Sequence, residues 1–342
     1  DETTLNNFKN ANQQGKLASF SPVFKPNKQG DIINKGNINA NEVVMVGNRV
    51  LLQSSFKGLD SDGKPIFNYI QGNGEKPIIR LVGNEVHADI ATFKDINKLY
   101  IAAKNKGSLY LNATGYYYNT SALKAFSFEE ETAIEGAEHN SNNFSNANYV
   151  GIGSDVDWWH FAKGWNTNSE FRNAKEFRLT SDIDFKGVIV EEGETKQNYA
   201  DYWIDFNGDG KKQDNERTSM IVGDMGYIDE NTDNSFTANF DGQGYTLSNI
   251  NIDTTGLDNS DKPRYLGIFG YVNGGEFKNI NVDYMGGGIK ADSAFNAGGF
   301  AGDINGGTFS NIVLNNIGNI SADDSIGGFA GRIVYGTFSN II

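Results

Sequence analysis

Along the last third of the chain, apolar residues alternate with polar ones over short runs, as at Phe277, Ile280 and Val282, and Gly or Asn breaks each run. A period of two over four to six residues belongs to strands. The runs recur. Gly267-Ile268-Phe269-Gly270 leads to Gly274-Gly275-Glu276-Phe277-Lys278-Asn279-Ile280, and Gly299-Phe300-Ala301-Gly302 leads to Gly306-Gly307-Thr308-Phe309-Ser310-Asn311-Ile312. A third copy pairs Gly328-Phe329-Ala330-Gly331 with Gly336-Thr337-Phe338-Ser339-Asn340-Ile341, and an earlier partial copy ends in Thr246-Leu247-Ser248-Asn249-Ile250. The Asn-Ile pairs therefore stand at 249, 279, 311 and 340, with spacings of 30, 32 and 29 residues. Periods of roughly 20 to 50 residues mark a solenoid or another array. Strands this short cannot bury a face alone, so successive coils must stack, each strand pairing with its equivalent in the next. The pattern predicts an all-β chain folded as a right-handed parallel β-helix. Gly permits positive φ at the corners, and the recurrent Asn fits a turn from which its amide bonds to neighbouring coils.

A looser repeat occupies the first third. Val46-Gly47-Asn48-Arg49-Val50 and Val82-Gly83-Asn84-Glu85-Val86 lie 36 residues apart, and Asp31 to Ala40 reads as strand, turn, strand. This region also reads as β-helix, interrupted by a hairpin-like excursion around Asp60 to Gly74. Glu129 to Asn148 is polar, acidic and rich in Asn and Ser, the composition of a linker or long loop. One segment has helical spacing: Trp158, Phe161, Ala162 and Trp165 fall at i, i+3, i+4 and i+7, with Ser154 and Asp157 at a plausible N-terminal cap. A short helix near 154–165 is expected to close the apolar end of the second β-helix. Trp158, Trp159 and Trp165 read as packing residues in preference to an aromatic sugar-binding stripe. The expected organisation is thus a β-helix segment over 1–125, a linker or loop over 126–153, and a second β-helix over 154–342 carrying an insertion at 201–217.

Composition narrows the function classes. The 342 residues carry 43 acidic and 29 basic side chains, a formal charge of −14 that disfavours a nucleic-acid partner. There is no Cys, which excludes disulfides, thiolate metal sites and cysteine nucleophiles. The three histidines, His87, His139 and His160, have no metal-motif spacing and read as incidental. No apolar stretch approaches the roughly 18 residues of a membrane span. The chain begins at Asp1 and stops inside a repeat at Phe338 to Ile342, so it reads as a segment of a longer protein.

The sharpest chemical signal is Asp205-Phe206-Asn207-Gly208-Asp209-Gly210-Lys211-Lys212-Gln213-Asp214-Asn215-Glu216, which fits D-x-[DN]-x-[DN]-G-x5-E at every constrained position. Calcium takes six to eight oxygens. Here they would come from Asp205, Asn207, Asp209, the Lys211 carbonyl, Gln213 directly or through water, and both oxygens of Glu216, with Gly210 at the sharp turn. Tyr202-Trp203-Ile204 before the loop reads as strand, so the site differs from a helix-flanked EF-hand. Lys211 and Lys212 reduce the local negative charge, and the expected affinity is that of extracellular modules, about 0.1 to 1 mM. Calcium would be structural. Asp60-Ser61-Asp62-Gly63 lacks a downstream carboxylate at the right distance and reads as a turn.

Two family resemblances follow from these residues. Residues 1 to about 118 resemble the downstream part of the secretion domain of filamentous-haemagglutinin-type exoproteins, which use two-partner secretion: Leu5 and Phe8, then Asn34-Lys35-Gly36-Asn37-Ile38, then Val43 to Val50. Residues 177 to 342 resemble the GLUG-motif repeats of bacterial surface and secreted proteins, through Leu179-Thr180-Ser181-Asp182-Ile183-Asp184, Phe240 to Ile250 and the three copies above. These resemblances imply a large secreted or outer-surface bacterial adhesin. Its implied partners are an outer-membrane transporter during export and a receptor or glycan on a host or neighbouring cell. Competing classes are a β-helical polysaccharide lyase or hydrolase, with Asp182 and Asp184 or Asp323 and Asp324 as acid/base pairs, and the stalk of a contact-dependent toxin. No basic residue recurs at a repeat-equivalent position to stabilise a developing anion, so a non-enzymatic role is favoured.

Overall fold

The computed structural model describes residues 30–61, 65–89, 96–103, 108–120, 129–130, 149–187, 196–224 and 233–342. Strands dominate, and nearly all pairings of named strands are parallel. Contacts divide the chain into two units, Asp1–Leu111 with Ser121–Asn148, and Asn112–Thr120 with Tyr149–Ile342. Leu5, Phe8, His139 and most of the segment read as a linker lie outside the described residues. Tyr149–Ile152, counted with that linker from the sequence, is a buried strand, because Tyr149, Val150 and Ile152 are apolar and pair with the strand at 176–179.

In the first unit, β1 (Ile32–Asn34), β2 (Glu42–Leu52), β3 (Ile78–Asp89) and β4 (Lys98–Ala103) pair in parallel, each with the next. The 36-residue repeat is a register: Val46 stands opposite Val82, Gly47 opposite Gly83, and Val50 opposite Val86. Burial alternates along β2 but slips by one residue between Gly47 and Val50. At that slip Asn84 donates its side-chain amide to Asn48 at 3.0 Å, so the shared Gly-Asn step is a stacked bend. The excursion expected over Asp60 to Gly74 lies earlier, as an antiparallel pairing of Phe56–Leu59 with Pro65–Phe67, and Ile70–Gln71 already pairs in parallel with Ile38–Asn39.

The second unit repeats this principle with a larger aromatic core. Its main stack runs β5 (Tyr149–Ile152), β6 (Glu176–Leu179), β7 (Asn239–Asp241), β8 (Glu276–Asp283), β9 (Ala301–Asn315) and β10 (Ala330–Ile341), each parallel to the next. Phe177, Phe240, Phe277, Phe309 and Phe338 occupy one register column. The Phe277, Phe309 and Phe338 rings stack at 4.9 Å with nearly parallel planes. Two short parallel sheets accompany this stack, Ile252–Asp253 with Ile289–Lys290 and Ile320–Ser321, and Tyr265–Leu266 with Asn296–Gly298 and Ser325–Gly327. The last two full repeats thus each contribute a strand to three separate stacks. Burying one Phe is worth about 1.5 to 3 kcal/mol, so the column is a principal source of stability.

The recurrent Asn residues take the left-handed conformation, with φ of +61° at Asn249, +55° at Asn279, +54° at Asn311 and +51° at Asn340. Their side-chain amides form a ladder: Asn340 donates to Asn311, Asn311 to Asn279, and Asn279 to Asp241. Asn is among the few residues other than Gly that enter this region at low cost. Phe269 and Phe300 are fully buried, and Phe300 stacks on Phe329 at 5.0 Å. Phe269 stands opposite Ala301 rather than Phe300, so the aromatic moves by one position between copies while still filling the interior.

Among the described residues two α-helices belong to the unit, α1 (Ala113–Tyr118) and α2 (Asp155–Thr167). Ser154 caps α2, its hydroxyl accepting from the Asp157 amide at 3.1 Å. Asp157 ties the helices together by accepting from Asn112 and from the Thr114 amide and hydroxyl. Trp158, Phe161 and Trp165 are fully buried and reach Phe177, Phe240 and Phe269. The Trp158 indole N–H donates to the Met220 carbonyl and that of Trp165 to the Asn234 carbonyl, so these tryptophans pack and present no sugar-binding stripe.

Candidate metal centre

The loop at 205–216 hangs from an antiparallel pair, Tyr202–Trp203 with Arg217–Thr218. Its base is clamped by charge. Asp201 accepts from Arg217 Nε at 2.8 Å and from Lys212 Nζ at 2.7 Å. Burial pushes the Asp201 carboxyl up, but the hydrogen bonds and positive charges of Arg217 and Lys212 outweigh it and hold the group below its ordinary range. Lys212 is therefore committed to Asp201, and its charge is offset there.

Within the loop, side-chain oxygens turn back onto main-chain amides. Asp205 accepts from the amides of Gly208 at 2.6 Å, Asp209 at 3.1 Å and Gly210 at 2.8 Å. Asn207 Oδ1 accepts from the same Asp209 amide at 2.9 Å, which brings these two oxygens together on one donor. Asp209 accepts from the Lys211 amide and from the Gln213 side chain, both at 2.8 Å. The turns need φ of +75° at Gly208 and +71° at Gly210. Glu216 closes the loop and is only 1% exposed. Its Oε1 accepts from the Phe206 and Asn207 amides at 3.1 and 3.3 Å, and its Oε2 from the Trp203 indole at 3.2 Å.

These bonds gather Asp205, Asn207, Asp209, Gln213 and Glu216 into one loop, with the Lys211 amide joined to Asp209. Among the described residues no group of three or more His, Cys, Asp or Glu is placed to hold a metal. The set expected from the sequence combines Asp205, Asp209 and Glu216 with two side-chain amides and a main-chain carbonyl, all oxygen, the chemistry a hard cation selects, but its three carboxylates are not drawn into one cluster. Asp205 Oδ1 and Glu216 Oε1 each already accept two bonds, whereas Asp205 Oδ2, both Asp209 oxygens and Glu216 Oε2 accept one apiece and keep a further acceptor site.

The sequence reading missed three supports. Trp203 and Asp201 anchor the two ends, and Phe206 packs its ring on Trp159 at 5.0 Å and on His160 at 5.4 Å. An aromatic at the second loop position, amid polar residues, was the available signal. His160 is fully buried and bonds to the Val156 carbonyl through Nδ1 at 2.8 Å. Burial pushes its pKa down to about 4 against the opposing effect of that carbonyl, with Lys163 adding to the fall. His87, in the first unit, pairs with Glu85.

Of the carboxylates considered as acid/base pairs, Asp184 ends the strand Ile183–Asp184, and Asp182, Asp323 and Asp324 lie outside strands. Asp182 accepts from the Thr246 amide, Asp184 from the Lys186 amide and the Asn249 side chain, and Asp323 from the Ser293 amide. Comparison with family models, curated proteins and solved structures yields no match.

Proposed function

We propose that this chain is a structural and binding segment of a large secreted or surface-exposed bacterial adhesin, folded as right-handed parallel β-helix and stiffened by calcium at residues 205–216. The observation that carries this reading is the register column of Phe177, Phe240, Phe277, Phe309 and Phe338, with the amide ladder beside it. Such stacking makes a stiff scaffold without disulfides, and the charge of −14 opposes self-association. Calcium fits the all-oxygen loop and would pin the strand pair at 202–203 and 217–218 through Glu216. α2 covers inward rings of the second unit, the role expected of a cap. An outer-membrane transporter would export the chain, and a receptor or glycan on another cell would be its target.

The test labels cells that produce the protein with an antibody against this chain, before and after permeabilisation. The reading expects full labelling of intact cells, and beads coated with the purified chain should adhere to host or neighbouring cells. Labelling only after permeabilisation, together with inert beads, would overturn it.

A further inference from the structure

The main stack of the second unit and the two short sheets beside it all end on the last coil. Among the described residues Ile320–Ser321, Ser325–Gly327 and β10 are each paired on one side only. Side chains that point inward on this coil are therefore half covered. Phe338 is 37% exposed where its register partner Phe309 is fully buried, and Ile333 is 48% exposed where Ile304 is fully buried. Phe329 and Phe338 each stack on the coil before, at 5.0 and 4.9 Å in nearly parallel planes, with Phe300 and Phe309. Ile326, Val334 and Tyr335 are exposed on the same coil, and contiguous apolar exposure of this kind marks an interaction surface.

An open strand edge carries unpaired N–H and C=O groups, and proteins blunt such edges with Lys, Pro, bulges or a covering segment. β10 runs for twelve residues without Pro, Lys, Asp or Glu. Its one charge, Arg332, is offset by Asp303, whose Oδ2 accepts from Arg332 Nε at 2.7 Å. Its register on β9 is irregular only around Val334 to Thr337, which leaves Ala330 to Ile333 and Thr337 to Ile341 as regular strand. The net charge of −14 opposes association of the chain as a whole, but residues 325–342 include no acidic residue.

We propose that β10 and the apolar end face beside it bind a second copy of this chain. About a two-fold axis the two β10 strands run antiparallel, so N–H groups on one open edge meet C=O groups on the other. The uncovered sides of Phe338 and Ile333 then close on the same residues of the partner. A lone peptide strand would satisfy the edge of β10 and leave the apolar end face wet, whereas a second copy brings an equal apolar face as well as an edge. The contact uses up the edge on both copies, so association stops at the dimer. The inference stands on the last coil and requires neither calcium nor a place on the cell surface.

Sedimentation equilibrium of the purified chain from about 1 to 200 µM tests it, and a dimer with a dissociation constant of about 50 µM or tighter is expected. Ile333→Lys sets an unpaired charge inside the contact and should weaken the dimer at least about 10-fold. Tyr335→Lys alters a side chain that is 67% exposed, so it keeps the test decisive should Ile333→Lys fail to fold. It should weaken the dimer at least about 3-fold. Both substitutions reduce the net negative charge, so a loss of association cannot come from general repulsion between copies. Amide hydrogen exchange at 330–341 should slow as the concentration rises. A monomer at every concentration, growth beyond the dimer, or a dimer unchanged in folded variants overturns the proposal.

Discussion

Replacing Glu216 with Gln separates the loop's own bonding from its affinity for calcium. The substitution keeps the volume and one acceptor oxygen for the Phe206 and Asn207 amides, but turns an NH2 group toward the Trp203 indole N–H, 3.2 Å from the present oxygen. Leaving that buried donor unsatisfied costs about 1 to 3 kcal/mol without any metal. Calcium adds a second, separable effect. With a dissociation constant of about 0.5 mM, 5 mM calcium stabilises the native state by RT ln 11, about 1.4 kcal/mol. In a unit of roughly 200 residues that raises the melting temperature by about 3 to 6 °C. Differential scanning calorimetry with 5 mM calcium, 5 mM magnesium or chelator should show this rise for the wild type with calcium only. Glu216→Gln should melt lower throughout and gain nothing from calcium. An equal rise in the variant, or none in the wild type, refutes the assignment of Glu216 as a bidentate ligand.

Three further outcomes are expected. His160 in the folded unit titrates near 4 against an ordinary value of 6.5, so between those values the unfolded chain binds the proton that the native state refuses; stability should fall by roughly 3 kcal/mol as pH drops from 6.5 to 4, and His160→Phe should flatten that part of the urea-midpoint profile. Asn311→Ala breaks the amide ladder and strains a residue at φ +54°, costing about 2 to 3 kcal/mol in urea denaturation, whereas Asn311→Gly loses only the ladder and should cost about 1 kcal/mol; equal losses would show that strain plays no part. Phe309→Ala empties a fully buried site between two stacked rings and should cost about 3 to 5 kcal/mol by the same assay, a loss below 1 kcal/mol arguing against the column as a stabilising core.

The repeat was legible because its physics is local and periodic. Each Phe-x-Asn-Ile step carries its own inward ring, and its Asn takes the conformation that the turn requires. The 36-residue match of Val46 to Val50 with Val82 to Val86 was legible for the same reason, since register in parallel strands is equivalence of position. The tight turns at 205–211 could be read because Asp, Asn and Gly at fixed offsets favour side-chain bonds to amides two or three residues on. What escaped depends on residues far apart in sequence. Nothing local distinguishes Asp303 from other acidic residues until Asn296 and Arg332 are folded against it. Trp159 and Phe206 meet across 47 positions, and Asp157 takes donors from residues more than 40 positions earlier. The shifted aromatic was legible too: Gly267 to Gly270 laid over Gly299 to Gly302 sets Phe269 against Ala301, the register observed, because the core selects total volume and lets neighbouring positions exchange.

The Phe column keeps its alignment while the chain between its members varies widely in length. From Phe177 to Phe240 the polypeptide travels 63 residues, and from Phe309 to Phe338 it travels 29, yet both steps give the same strand-to-strand pairing. Part of the longer step still serves the interior, since Phe185, Tyr199, Tyr202, Val222 and Phe236 are buried, and among its described residues the longest exposed run is the tip of the loop at 207–212. Natural or engineered grafts placed in the exposed tip at 207–212 would accordingly leave the pitch untouched, whereas a one-residue insertion between Thr308 and Phe309 would turn Phe309 out of its file.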